Sequence, residues 1–217
     1  MTTRPILFSA PMVRALLADT KTQTRRIVKY IPALGEPGDW CHRYLSHGLR
    51  DIIGDCAAYC PYGRPGDRLW VRETFLDTRA MTGGLDDGPR MVPAYYRADD
   101  MHPYDAERMA KYGKKWTPSI HMPRWASRIT LEITGVRVER LQEISEVDAR
   151  AEGVDLLRVD GHEMWRDYSV ADEDNEGHGY CYTAVESYIT LWESINGPGS
   201  WDANPWVWVI NFKRIQP

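Results

Sequence analysis

Lys21 and Thr24 are the two residues whose types and spacing could do covalent chemistry. A threonine hydroxyl becomes a nucleophile when a base takes its proton. A lysine amine can be that base once burial or neighbouring positive charge brings its pKa below its usual value of about 10.4. Arg25 and Arg26 supply such charge one and two residues further on. All four lie in the run Leu17-Ala18-Asp19-Thr20-Lys21-Thr22-Gln23-Thr24-Arg25-Arg26, which stands between an apolar helix and the apolar pair Ile27-Val28. In an ideal strand, residues three apart point to opposite faces, so joint action of Lys21 and Thr24 requires the chain to turn around Thr22. From spacing alone, the alternative is a solvated basic turn.

Two carboxylates stand in unusual places. Glu73 is in phase with the apolar Leu69, Val71 and Phe75, which implies that it pairs with a cation or lines a cavity, because an unpaired buried charge is costly. Glu152 falls at the end of a helix that Ser145 starts and Gly153 stops, where an acid opposes the helix dipole. His121, Arg124 and Trp125 share a stretch stiffened by Pro118 and Pro123, and loops of this kind often carry function. Zinc chemistry fits less well: Cys56 and Cys60 have ligand spacing, but Cys41 and His42 are adjacent and adjacent ligands seldom reach one ion. No metal and no cofactor are expected. Gly83-Gly84 and Gly197-Pro198-Gly199 lack the lysine and spacing of a phosphate loop.

The elements that must hold these residues can be read in order. Val13, Leu16, Leu17 and Thr20 recur at helical spacing and predict a helix over about 10–19, with strand from Gln23 to Tyr30. Residues 31–64 are rich in proline and glycine and read as an irregular insertion. A turn at Arg64-Pro65-Gly66-Asp67 launches a strand over 68–75, and Val92 to Arg97 reads as another. A short helix is expected around Ala106 to Lys111. Ile129, Leu131 and Ile133 alternate in odd phase and Val136 and Val138 in even phase, so Gly135 marks a bulge at a barrel corner. A last helix over about 181–195 buries Val185, Tyr188, Ile189, Trp192 and Ile195. The doubly apolar Pro205 to Phe212 should be a central strand. Residues 155–180 show little periodicity and read as an acidic surface insertion.

Composition sets the frame. The 217 residues are 43% hydrophobic and 27% charged, which are globular values and suit a single domain. No apolar run reaches the roughly 20 residues of a spanning helix, and the N-terminus lacks the apolar core of a secretion signal, so a cytoplasmic protein is expected. The net charge is −4. Of 27 basic and 31 acidic residues, residues 155–180 hold two and eight, leaving 25 and 23 for a nearly neutral body with local arginine clusters. Nine tryptophans and twelve tyrosines beside three phenylalanines favour rings with a polar handle, and such rings near arginines suit stacking on nucleobases.

The motifs resemble a known family. Leu17-Ala18-x-x-Lys21-Thr22-x-Thr24-x-Arg26, Pro65-Gly66-Asp67-x-Leu69-x-Val71, Ser145 to Glu152 and the terminal Trp206, Val209 and Phe212 look like the ASCH family of the PUA-like superfold. A longer match is similar to bacteriophage and prophage ASCH-like proteins. It adds Pro61-Tyr62-Gly63, Trp70-Val71-Arg72-Glu73, Met122 to Arg128 and Trp192 to Gly197, and spans nearly the whole chain. The resemblance implies an α+β fold: a small mixed β-barrel with helices around it and a cleft for a nucleobase or nucleoside. It implies an amidohydrolase that removes the acyl group of an N4-acetylcytidine-like nucleoside, with Thr24 as nucleophile, Lys21 as its base and Glu152 orienting or protonating groups. Other members are thought to bind RNA without catalysis. The second expectation is therefore a binding module for nucleic acid, RNA more than DNA, or for a modified base. It would use Arg25, Arg26, Trp70, Arg72, Glu73, Arg124 and Trp125. A monomer acting in the host cytoplasm is the expected setting.

Overall fold

The computed structural model describes residues 1–29, 60–78, 94–99, 113, 115–170 and 179–215. Its centre is a five-stranded sheet in the order β1-β3-β6-β10-β2, made of β1 (Thr3–Leu7), β3 (Arg68–Arg72), β6 (Thr130–Arg140), β10 (Trp206–Ile215) and β2 (Gln23–Ile27). β1 runs parallel to β3, and the remaining neighbours are antiparallel. The order ends at β1 and β2, so the sheet is open and no closed barrel is present among the described residues. One side chain spans the gap: Arg26 of β2 donates to the carbonyl of Leu7 in β1 at 2.6 Å.

Hydrophobic pattern explains the positions. Val207, Trp208, Val209 and Ile210 are all buried at consecutive positions, which requires cover on both faces and suits the interior place of β10. The bulge expected at Gly135 is present. Asn211 pairs with Gly135 and Phe212 with Ile133, so one residue of β6 is extra there and the side-chain phase switches. A Cβ on Gly135 would come within 3.3 Å of the Asn211 amide.

Among the described residues three α-helices pack around the sheet: α1 (Ala10–Leu17), α2 (Glu146–Ala151) and α3 (Ala184–Asn196). α1 carries Pro11 in its first turn and buries Met12, Val13, Ala15 and Leu16. Its end is forced by Asp19, held at φ 58, after which Thr20 and Lys21 both donate their amides to the Ala15 carbonyl. Ser145 caps α2 by accepting from the Asp148 amide, and Thr183 with Glu186 forms a capping box on α3.

Several expectations are corrected. The segment read as an irregular acidic insertion forms a three-stranded antiparallel sheet of β7 (Leu156–Val159), β8 (His162–Arg166) and β9 (Tyr180–Cys181). Its strands are short and mostly half-exposed, which weakens the period-2 signal. The strand expected over 68–75 breaks after Arg72 and resumes as β4 (Phe75–Asp77), which pairs with β5 (Ala94–Tyr96). Ile195 is exposed rather than buried. The expected helix near 106–111, most of the 31–64 insertion, and Cys41, His42 and Cys56 lie outside the described residues. Among the described residues no cluster of three or more His, Cys, Asp or Glu side chains could hold a metal. No helix there is long and apolar enough to cross a membrane.

Candidate active site

The chain's local hydrogen bonding brings Lys21 and Glu152 together. The amide of Thr22 donates to the carbonyl of Ala151 at 2.9 Å, and the carbonyl of Thr22 accepts from the amide of Phe212 at 2.9 Å. Thr22 is thus pinned between the end of α2 and strand β10. Its neighbour Lys21 is pinned beside Ala151's neighbour Glu152. Gly153 makes the approach possible: its φ is 79, and a Cβ there would stand 2.7 Å from Lys21 Cβ and 2.8 Å from Ala15 Cβ.

Lys21 Nζ donates to Glu152 Oε2 at 3.0 Å and to the Glu152 carbonyl at 2.5 Å. The second bond supplies a donor to a helix end whose carbonyls have no partner within the helix. The acid that looked misplaced at the end of α2 therefore has a purpose in the ion pair. Glu152 Oε1 accepts from Arg25 at 3.1 Å, and both Glu152 and Lys21 are almost fully buried. Arg25 also meets Glu139 at 2.5 Å and Asp148 at 3.3 Å, and Arg137 bonds the same two acids from the outside. Arg25 and Lys21 thus share one carboxylate. Burial pushes the Lys21 pKa down; Glu152 opposes this, while the charges of Arg26 and Arg25 add to it, and the net direction is downward. For Arg25, burial works against the charge but Glu152, Tyr188 and Glu139 outweigh it, so its pKa rises.

A cavity of about 490 Å³ opens onto this cluster. Lys21, Thr24, Arg25, Arg26 and Glu152 line it, together with Leu7 of β1, Phe8 just after it, Met12 of α1 and Tyr188, Leu191 and Trp192 from α3. Thr74 and Ser119 also line it, with Ile27 and Ile195 as apolar contributors. It lies where the two end strands of the sheet meet, beside the Arg26–Leu7 bond. Thr24 is 4% exposed, pairs through its backbone position with Ile210, and its hydroxyl donates no hydrogen bond among the described residues. The turn required around Thr22 is present, since β2 starts only at Gln23 and both Lys21 and Thr24 reach the cavity. Lys21 Nζ and the Arg26 guanidinium lie 5.5 and 5.2 Å from the Phe8 ring centroid, so the cavity's cations rest on an aromatic wall.

The remaining expected residues divide. Arg25 cannot serve as a phosphate contact: it is buried and occupied by three carboxylates. Glu73 is likewise interior, held by Arg128 at 2.9 and 3.1 Å, and its carboxyl pKa is raised by burial against the lowering pull of Arg128. The cation that pairs Glu73 is therefore found, and the residue lines no part of the cavity. Trp70, Arg72, Arg124 and Trp125 form a separate group outside it. The guanidiniums of Arg72 and Arg124 lie 5.4 and 5.7 Å from the Trp70 ring centroid, and Trp125 stands edge-on to Phe75 at 6.4 Å.

Sequence reasoning missed Tyr188 and Trp192 as cavity residues, placing them only in the buried stripe of α3. The Tyr188 ring lies 5.9 Å from the Arg25 guanidinium, and burial, with Glu152 adding to it, holds its phenol well above its usual pKa. The Trp192 indole N–H is buried with no partner among the described residues. A ring with a polar tip inside an apolar helix stripe was the available signal. Compared with protein-family models, with curated proteins and with solved structures, the chain matches none of them.

Proposed function

We propose that the protein is an amidohydrolase that removes the acyl group from an N4-acylated cytosine, with Thr24 as nucleophile and Lys21 as its base. The observation that carries this reading is the Lys21–Glu152 pair, almost wholly buried and opening with Thr24 onto one cavity. Buried ion pairs are poor sources of stability, so a lysine kept beside a glutamate, in a cleft that a threonine also lines, favours a chemical role. A PUA-like arrangement is part of the same proposal. The open sheet whose ends approach at the Arg26–Leu7 bond supports it.

In the proposed reaction, Lys21 Nζ takes the Thr24 proton as Oγ1 bonds to the acyl carbon. Negative charge develops on the acyl oxygen. Tyr188, kept as a phenol, and the Trp192 indole, which has no partner among the described residues, are the donors offered for it. Collapse breaks the bond to N4, which leaves with the proton held by Lys21, and an acyl ester remains on Thr24. Water then attacks the ester, gives its proton to Lys21 and frees the carboxylic acid, while the proton returns to Thr24. Glu152 holds the amine in place through both steps, and Arg25 holds Glu152. The apolar walls exclude water from the amide and accept the flat base. Rapid acid quench of the enzyme with N4-acetylcytidine, followed by peptide mass analysis, is expected to find an acetyl group on Thr24. An acetyl group confined to Lys21, or none anywhere during turnover, would overturn the threonine mechanism.

A further inference from the structure

We infer that the substrate is not a free nucleoside but a base within a single-stranded polynucleotide, whose flanking residues lie on an arginine–tryptophan strip beside the cavity. This rests on the reading of the cavity as an acylcytosine site and specifies what surrounds that base.

The strip is built from two segments that also reach the cavity. On the first, Arg72 ends β3, and Thr74, two residues further on, lines the cavity, a separation of about 7 Å in extended chain. On the second, Ser119 lines the cavity and is followed by Ile120, Arg124 and Trp125. The Arg72 guanidinium donates to the Ile120 carbonyl and so locks the two segments to each other. Tyr96 fixes the far end by donating to the Ala126 carbonyl at 2.9 Å.

The charge arrangement on the strip is the telling part. Arg128 and Arg25, elsewhere in the fold, are each paired with carboxylates. Arg72 and Arg124 have no carboxylate partner among the described residues, yet both converge on the Trp70 ring, at 5.4 and 5.7 Å from its centroid. Two guanidiniums brought to one ring, with no carboxylate on either among the described residues, offer positive charge to an anion, and planar guanidiniums match a phosphate. Beside them Trp125 is 42% and Ile120 59% exposed. Phosphate-matching cations beside an accessible aromatic ring, here Trp125, are the two components that grip single strands without reading sequence. A free nucleoside has no phosphate and would leave the strip unused. The rim is consistent with passage of a strand: Leu7, Ile27 and Ile195 line the cavity and are 43%, 38% and 57% exposed. A base stacked in a double helix enters the cavity only after it is flipped out, at a cost in stacking and pairing energy, so a single strand is the easier target.

The test uses the full chain and fluorescent ten-nucleotide oligomers of unmodified RNA and DNA, titrated over a salt series, with the Arg124→Ala, Trp125→Ser double variant and Trp125→Phe beside the wild type. Thermal melting checks that each variant is folded. Wild type is expected to bind single strands with salt-dependent affinity. The double variant should bind at least tenfold more weakly, with a salt slope shallower by about 0.7 for the lost phosphate contact, and Trp125→Phe should restore most of the affinity. The RNA and DNA arms show which sugar is preferred. In parallel, kcat/KM is measured for N4-acetylcytidine as free nucleoside and inside the RNA oligomer. The oligomer is expected to be preferred, and the double variant to lower the oligomer-to-nucleoside ratio at least tenfold. Strip-dependent binding without any hydrolysis would sustain the strip and overturn the cavity chemistry. Hydrolysis of the nucleoside with no oligomer binding, or equal binding by wild type and double variant, would overturn the strip.

Discussion

Lys21 Nζ and Glu152 Oε2 lie 3.0 Å apart although 131 residues separate them in the chain, and both side chains are almost completely buried. The pairing follows from backbone geometry: Thr22 is hydrogen-bonded to Ala151 on one side and to Phe212 on the other, so their neighbours must meet. Whatever reaches the cavity meets a lysine whose carboxylate partner is shared with Arg25.

This sharing has a consequence for pH. Burial, with the charges of Arg26 and Arg25 and against the pull of Glu152, places the Lys21 pKa below 10.5. As a general base Lys21 works only when neutral, so kcat/KM is expected to rise with pH and level off above an inflection that lies below 10.5. In stability the sign is the same. The unfolded chain holds this proton more tightly than the folded one, so Lys21's unfavourable contribution is relieved as pH rises from its folded pKa towards 10.5. A pH–rate profile that is flat, or that inflects at the ordinary lysine value, would count against Lys21 as the base.

Gly153→Ala tests the packing that places the pair. Its new methyl would sit 2.7 Å from Lys21 Cβ and 2.8 Å from Ala15 Cβ, in a backbone conformation at φ 79 that L-residues rarely adopt. Strain and overlap together should destabilise the fold by about 2 to 4 kcal/mol and lower activity by displacing Lys21. Urea unfolding measures the first effect and kcat the second. A variant of wild-type stability and activity would show that the close approach is not required.

Arg25→Met is expected to harm stability more than any other single change in the cluster. It leaves Glu152, Glu139 and Asp148 to Lys21 and Arg137 alone. Breaking a buried ion network in this way costs roughly 3 to 5 kcal/mol, or about 10 °C in melting temperature for a chain of this size. Thermal unfolding reads it directly, and a loss under about 1 kcal/mol would mean that the three acids find compensation without Arg25.

Tyr188→Phe separates packing from chemistry. The ring remains to fill its buried site, and only the phenol is lost. If Tyr188 donates to the acyl oxygen as charge develops, kcat falls about a hundredfold with the melting temperature changed by only a few degrees. An unchanged kcat would remove Tyr188 from the reaction and leave it as a wall of the cavity.

Much of the fold was legible because its signals are local. Ser145 before an acid-rich first turn marked the start of α2, the doubly apolar Val207 to Ile210 marked an interior strand, and the phase change around Gly135 marked a bulge. The carboxylate in phase with Leu69 and Val71 called for a cation or a cavity, and the structure supplies the cation, Arg128. What stayed hidden depends on tertiary closure. Nothing in the spacing of Lys21 or Glu152 reports the Thr22–Ala151 bond, and Arg25, adjacent to Thr24, looked as available as Arg26. It is instead enclosed by Glu139, Asp148 and Glu152, which come from β6 and from in and beside α2. Residues 156–181 hid their small sheet because strands of two to five residues with exposed faces give too few alternations to read.

The most direct measurement is the turnover of N4-acetylcytidine by purified wild-type protein and by Thr24→Ala, followed by the absorbance of the acetylated base. Wild type is expected to release cytidine catalytically, and Thr24→Ala, folded to the same melting temperature, to lose at least about a thousandfold in kcat because its attacking oxygen is gone. Absence of turnover by the wild type on nucleoside and oligonucleotide alike, or retention of turnover by Thr24→Ala, would contradict the assignment of Thr24 as nucleophile.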